Sequence, residues 1–194
     1  NMTEYFLLFM SAAIVNNFVL SRYLGLCIFF GVSKNFHASS SMGVAIISII
    51  TLSSMLTWLI EHFILLPLGL YFLKTIVFVV VIAVFVQMLE MVIKKFMPTL
   101  YNIWGIYLLL VATNCVILGV PLINSHSHFS FIESVVNALG SGTGFAIALI
   151  LFASLREKLQ FSDVPKSLEG LGIAFILAGM LALAFQGFSG MIPL

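Results

Sequence analysis

Charge is what this sequence has least of. Only 8% of its 194 residues are Asp, Glu, Lys or Arg, and the formal net charge is +1. Ordinary soluble domains carry roughly 25% charged residues, so this chain cannot dress a water-facing surface. Its eight basic residues are scattered, which argues against a nucleic-acid or polyanion partner. Other signals are missing as well. No stretch reads as a soluble domain, and neither a nucleophile triad nor a nucleotide motif stands out. The opening "NMTEYFLLF" has no basic n-region and no small-residue cleavage site, so a removable signal peptide is not expected. "GSGTG" at Gly140 to Gly144 has no preceding strand and no following Gly-Lys-Ser/Thr, which leaves close helix packing as its expected use rather than phosphate binding. Cysteine occurs twice, as Cys27 and Cys115.

What is present is apolar length. Hydrophobic residues make up 62% of the chain, and a bilayer core about 30 Å thick needs about 20 of them in a row at 1.5 Å rise. In lipid each backbone amide must be satisfied within its own segment, which makes such runs helices. The pattern predicts an all-α integral membrane protein with six transmembrane spans at about 5–32, 42–60, 72–93, 100–122, 134–155 and 171–189. Polar breaks follow the first five: "SKNFHASS", "IEHFILLPLG", "KKFMP", "NSHSHFS" and "REKLQFSDVPKSLEG". Lys34, Lys94, Lys95, Arg156, Lys158 and Lys166 fall after spans one, three and five, whereas the breaks after spans two and four hold Lys74 with Glu61, His62, His126, His128 and Glu133. Positive loops stay in the cytoplasm, so both termini are expected outside.

"LGLCIFFGV" and "ATNCVILGV" repeat the frame Cys-x-x-x-Gly-Val in spans one and four. The implied unit is three helices, and an odd count inverts the second copy. One membrane domain, 1–194, therefore reads as two inverted three-helix repeats, about 4–95 and about 98–192, a plan common in transport folds with discontinuous helices near the midplane. Span one supports a break: about 28 residues would extend roughly 42 Å as a straight helix, and its middle contains Asn16, Asn17, Ser21, Arg22 and Gly25. Broken half-helices are expected in spans one and four, with Asn16, Asn17 and Asn114 suited to satisfying the freed backbone.

Three readings of the cysteines stay open on residues alone. They are small apolar fillers, or a disulfide, which a helix bundle in lipid needs little, or soft metal ligands. An iron–sulfur cluster takes four thiolates; this chain supplies two, so a second protein would have to complete it. Glu90, the acid inside "VFVQMLEMVIKKF", is an ion-path candidate or the i, i+4 partner of Lys94. Arg22 either offsets an anionic centre, contacts a partner, or snorkels to an interface. His126 and His128 lack a third ligand and read as solvated loop residues. A cofactor-free secondary transporter binding solute at Asn16, Asn17, Thr113 and Asn114 is the rival from another class, and a structural scaffold is a third.

"VNNFVLSRYLGLC", "FFGVSKN", "VQMLEMVIKK", "TNCVILGV", "REKLQFSDVP" and "GFSG" together resemble the membrane subunits of the Rnf complexes, ion-translocating ferredoxin:NAD oxidoreductases of bacteria and some archaea. The resemblance extends to the homologous subunits of the sodium-pumping NADH:quinone oxidoreductases and runs from about Met2 to Leu194. It implies a six-helix, A-type component of a redox-driven translocase in the cytoplasmic (inner) membrane. That component pairs with an oppositely oriented, homologous E subunit; the B, C, D and G subunits and membrane lipid complete its surroundings. The resemblance further implies a [2Fe–2S] cluster shared with the E subunit, ligated here by Cys27 and Cys115, with electron transfer coupled to Na⁺ or H⁺ movement. NAD, FMN and ferredoxin would be handled by other subunits. Asn16, Asn17, Arg22, Glu90, Thr113 and Asn114 become candidates for the cluster's surroundings or the ion path. The family commonly has Pro where this chain has Ile28 and Leu109, and proline enforces helix breaks.

Overall fold

The computed structural model describes residues 2–33, 36–69, 71–96, 110–111, 113–159, 161, 165 and 168–187. Among them every regular element is helical. Helix α1 spans Met2–Met10 and continues as a wider π turn, Ser11–Val15. After a non-helical stretch come α2, Leu26–Val32, and α3, Phe36–Ile60. Then follow α4, Lys74–Phe96; α5, Cys115–His126; α6, Phe131–Leu159; and α7, Leu171–Gln186. Among the described residues three continuous helical stretches, Ala38–Leu68, Tyr71–Phe96 and Phe131–Leu159, are long and apolar enough to cross a membrane. Met2–Val15, Cys115–His126 and Leu171–Gln186 are shorter apolar helices.

Helix α4, "KTIVFVVVIAVFVQMLEMVIKKF", shows why the solvent decides the element. Its Val and Ile content favours strands in water, but a strand in lipid would leave its amides unpaired, so the segment coils. Only Phe78, Ile82 and Val86 are buried, one stripe at four-residue intervals, and Lys94 and Lys95 complement the dipole in the last turn. The other faces stay open to lipid or to a partner.

Small residues set the centre. Gly43 of α3 faces Ala146 of α6, Gly142 faces Ile47, and the Ser54 and Ser134 hydroxyls lie 3.1 Å apart, so the two helices run antiparallel. A Cβ on Gly142 would come within 3.0 Å of the Ile47 Cα. Gly140 and Gly144 admit α1 on another face: the first touches the Phe9 carbonyl and Ala12, the second the Ala13 carbonyl. "GSGTG" is thus a packing surface, as small residues in membrane helices generally are. Phe29 of α2 stacks on Phe152 of α6 with ring centroids 4.3 Å apart.

Several helix ends differ from the sequence expectation. Phe36–Ser41, expected within a loop, begins α3, because Ser39 Oγ donates to the Val32 carbonyl at 3.2 Å and Ser41 Oγ to Ala38 at 3.1 Å, consuming the polarity locally. Helix α3 also runs on through a π turn at Glu61–Leu65 and Leu66–Leu68, and Gly69, at φ 66°, ends it. The first run breaks and the second does not. Lys94–Phe96, Asn124–His126 and Arg156–Leu159, also expected in breaks, are helical. The first part of the fourth expected span, 100–109, lies outside the described residues.

Candidate cysteine site at two helix interruptions

The first interruption follows Val15. Asn16 ends the π turn, its N–H bonded to the Ser11 carbonyl at 2.8 Å. Asn17, 2% exposed, holds the unwound chain in place. Its Nδ2 donates to the Gly144 carbonyl at 2.8 Å and to the Ala13 carbonyl at 3.4 Å, while its Oδ1 accepts from Val19 N at 3.1 Å. An amide side chain replaces the helical partners lost at the break. Tyr23 and Gly25 then take left-handed conformations, φ 56° and 81°, before α2 begins. Gly25 needs to be glycine twice over. Besides its φ, a Cβ there would lie 2.8–2.9 Å from Val116 Cγ2, Asn114 Oδ1 and Phe145 Cε2.

The second interruption precedes Cys115. Leu110 and Val111 are helical, Asn114 N donates to the Val111 carbonyl at 3.0 Å, and the chain turns extended at Asn114 (φ −72°, ψ 119°). Asn114 is the N-cap of α5, its Oδ1 accepting from Val116 N at 3.1 Å.

The two new helices meet at their beginnings. Gly25 touches Asn114 and Val116, Leu24 reaches Gly119, and Leu110 reaches Gly31, so α2 and α5 run in opposite directions from a shared starting level. Cys27 is the second residue of α2 and Cys115 the first of α5. The positive dipole ends of both helices therefore gather beside the thiols, an arrangement that favours negative charge. Both thiols are free and exposed at the surface of the chain. Among the described residues no group of three or more His, Cys, Asp or Glu comes together. This donor set fits a soft metal centre completed by ligands from elsewhere, and among the described residues nothing completes it within the chain.

The remaining candidates scatter. Arg22 is exposed, with its guanidinium 5.9 Å from the Phe18 ring centroid. Asn16 is half-buried and lines a cavity of about 330 Å³ with Ser11, Arg22, Ser127 and Asn137. Thr113 is exposed, and Glu90 is half-buried near the basic end of α4. His126 and His128 are exposed. Of the residues expected to hold a solute, Asn16 lines this cavity, Asn17 is bonded to backbone and Asn114 caps a helix. Ile28, fully buried inside α2, shows that this break forms without proline there; Leu109 lies outside the described residues.

Two features escaped the sequence. Arg156 Nη1 donates to the Phe30 carbonyl at 3.1 Å and to Ser33 Oγ at 2.9 Å, closing the C-terminal end of α2. At the opposite end of the molecule, Asn124 Nδ2 donates to Ser54 Oγ and Ser134 Oγ, both at 2.8 Å, and its Oδ1 accepts from Asn137 at 2.6 Å. Beside this knot Glu61 accepts from Ser125 Oγ and pairs with Lys74 at 2.7 Å. Asn137, an amide inside the fifth apolar run, was the available signal.

A helical membrane component that presents two free thiols at its surface is the class that these features define. The family described as "Rnf-Nqr subunit, membrane protein" matches residues 5–192, and the chain belongs to it. It is 66% identical over 193 residues to the A-type component of the proton-translocating ferredoxin:NAD(+) oxidoreductase complex of Clostridium ljungdahlii, covering 100% of both chains. Against the corresponding component of the Na(+)-translocating ferredoxin:NAD(+) oxidoreductase complex of Acetobacterium woodii it is 51% identical over 181 residues, covering 93% of this chain and 94% of the relative. The counterpart in the ion-translocating oxidoreductase complex of Aeromonas hydrophila is 48% identical over 193 residues, again covering 100% of both.

Proposed function

We propose that this chain is the A-type membrane component of an ion-translocating ferredoxin:NAD⁺ oxidoreductase, and that Cys27 and Cys115 supply half the ligands of a [2Fe–2S] cluster completed by a homologous E subunit. The observation that carries this reading is the pair of free, exposed thiols on the first turns of two half-helices that start side by side. When bound, such a cluster accepts and releases one electron at a time. The chain's own contribution is to hold the two thiolates at a face a partner can reach. It also turns two helix N-termini toward the negative charge and anchors α2 from behind through Arg156. NAD, FMN and ferredoxin belong to the other subunits.

The same reading makes the chain one domain of six spans in two inverted repeats, about 4–95 and 98–192, with both termini outside the cytoplasmic membrane. Its support is the antiparallel contact of α3 with α6: Gly142 follows Ile47, which it touches, by as many positions as Phe131 follows Phe36 at the two helix starts. Equivalent positions meet only near a twofold axis. An electron arriving near Cys27 and Cys115 changes the charge beside α2 and α5, and their repacking against α6 alternates access for the coupling ion. The relatives' names include both a proton and a Na(+) translocator, so the ion is open to direct measurement.

Membrane vesicles containing the assembled complex test this. Cys27→Ser and Cys115→Ser should each abolish ferredoxin-driven NAD⁺ reduction together with ion uptake while the chain remains in the complex. Full activity in either variant would reject the electron-transfer role.

A further inference from the structure

Arg22 carries a charge that nothing in the described chain answers. Its guanidinium lies 5.9 Å from the Phe18 ring centroid, and among the described residues no carboxylate pairs with it. It lines the cavity of about 330 Å³ that Asn16, Ser11, Ser127 and Asn137 share. Asn137 is 7% exposed and donates its Nδ2 to Asn124 Oδ1 at 2.6 Å. Its Oδ1 accepts from no group among the described residues, yet this oxygen is not sealed off, so it opens on the cavity that the residue lines. Amide oxygens this deep in a protein are as a rule partnered. The cavity therefore combines a fixed cation with an acceptor in want of a donor. That pairing repels a metal cation and suits an anion with hydroxyl or N–H groups of its own.

The cavity's place in the fold supplies the rest. Gly140 meets Phe9 and Gly144 meets Ala13, so α1 and α6 start at the same end of the molecule, where the turn through Ser127 and Phe129 also lies. Helix α6 has 29 residues and is about 43 Å long, against a hydrocarbon core of about 30 Å, which puts such an end at headgroup depth. Leu8, Phe18, Ile123 and Phe129 form apolar walls, and Phe6 and Leu7, next to Leu8 on α1, stay exposed. A free phosphate ion gains nothing from apolar walls. A glycerophospholipid does: its phosphate meets the planar guanidinium fork, its headgroup hydroxyls meet the amide oxygens, and its acyl chains continue along α1. We propose that this cavity binds the headgroup of an anionic, hydroxyl-bearing glycerophospholipid, of which phosphatidylglycerol is the simplest. Neither thiol lines the cavity, and the site stands whether or not Cys27 and Cys115 hold a cluster.

The test uses the intact complex in vesicles of phosphatidylcholine that contain phosphatidylglycerol bearing a photoreactive group near the start of one acyl chain. After irradiation, peptide mapping should find this lipid on segments containing Leu8 and Phe129. Arg22→Gln should need roughly tenfold more of the lipid for the same labelling, the weight of a charge-assisted hydrogen bond. Phosphatidylcholine with the same photoreactive group has neither net charge nor donors; it should label these segments weakly, and inorganic phosphate in excess should not compete with phosphatidylglycerol. Labelling unchanged in Arg22→Gln, or displacement by inorganic phosphate, would overturn the proposal, the second in favour of a free anion. So would a photoreactive residue placed at Leu8 that captures a partner subunit instead of lipid. If Arg22→Gln does not assemble, the two lipids compared on the parent decide it, and equal labelling by both rejects the proposal.

Discussion

Asn17 and Asn16 are adjacent amides in an unwound stretch, yet the structure gives them very different weight. Replacing Asn17 with Leu removes the 2.8 Å bond to the Gly144 carbonyl and the 3.1 Å bond from Val19 N, and Val19 is fully buried. A hydrogen bond between membrane helices contributes about 0.6 kcal/mol on average, and a stranded buried N–H costs about 1–3 kcal/mol. The expected loss is about 2–3 kcal/mol. Asn16→Leu removes only a 3.4 Å contact to Ser11 Oγ and should cost less than about 1 kcal/mol. Thermal inactivation of the purified complex, with the chain's content followed in parallel, compares the two directly: Asn17→Leu should lose several degrees of midpoint and Asn16→Leu little. Equal shifts, or a neutral Asn17→Leu, would refute the claim that Asn17 satisfies the backbone at the break.

Glycine positions offer a second comparison. Gly144→Ala drives a methyl into the Ala13 carbonyl and should destabilise by about 1–3 kcal/mol, whereas Gly179→Ala, with nothing within 4 Å, should be neutral or stabilising by up to about 1 kcal/mol; the same thermal assay reads both. Arg156→Gln frees the C-terminal end of α2. Hydrogen exchange over residues 26–33 should accelerate at least severalfold, with partial restoration in Arg156→Lys; unchanged exchange would remove Arg156 from the account.

The sequence made the helices legible because lipid leaves the backbone little choice, and α4 with its terminal lysines is the plainest case. The break after Val15 was legible from Asn16, Asn17 and Gly25, residues that gain nothing in the middle of a lipid-facing helix. Helix ends were not legible. Ser39 and Ser41 look like loop residues until their hydroxyls bond back to carbonyls, and "EHFILLPL" looks like a break until the π turn carries α3 through it. The cysteines stood out through their matching frames, but their meeting depends on the contact of Gly25 with Asn114 and Val116, and no spacing rule encodes it. Asn124 was hidden for the opposite reason: "NSHSHFS" reads as a loop, while α5 runs to His126 and buries the one amide of that string. Arg156 was counted only as a positive loop charge, because the end it closes lies 123 positions away.

The central claim is that Cys27 and Cys115 hold one iron–sulfur centre with a partner protein. Iron quantification and electron paramagnetic resonance on the co-purified complex, comparing the parent with Cys27→Ser and Cys115→Ser, test it most directly. The account predicts loss of the same reduced [2Fe–2S] signal and of its iron in each variant, with all subunits still present. An unchanged spectrum and iron count in assembled variants would contradict it.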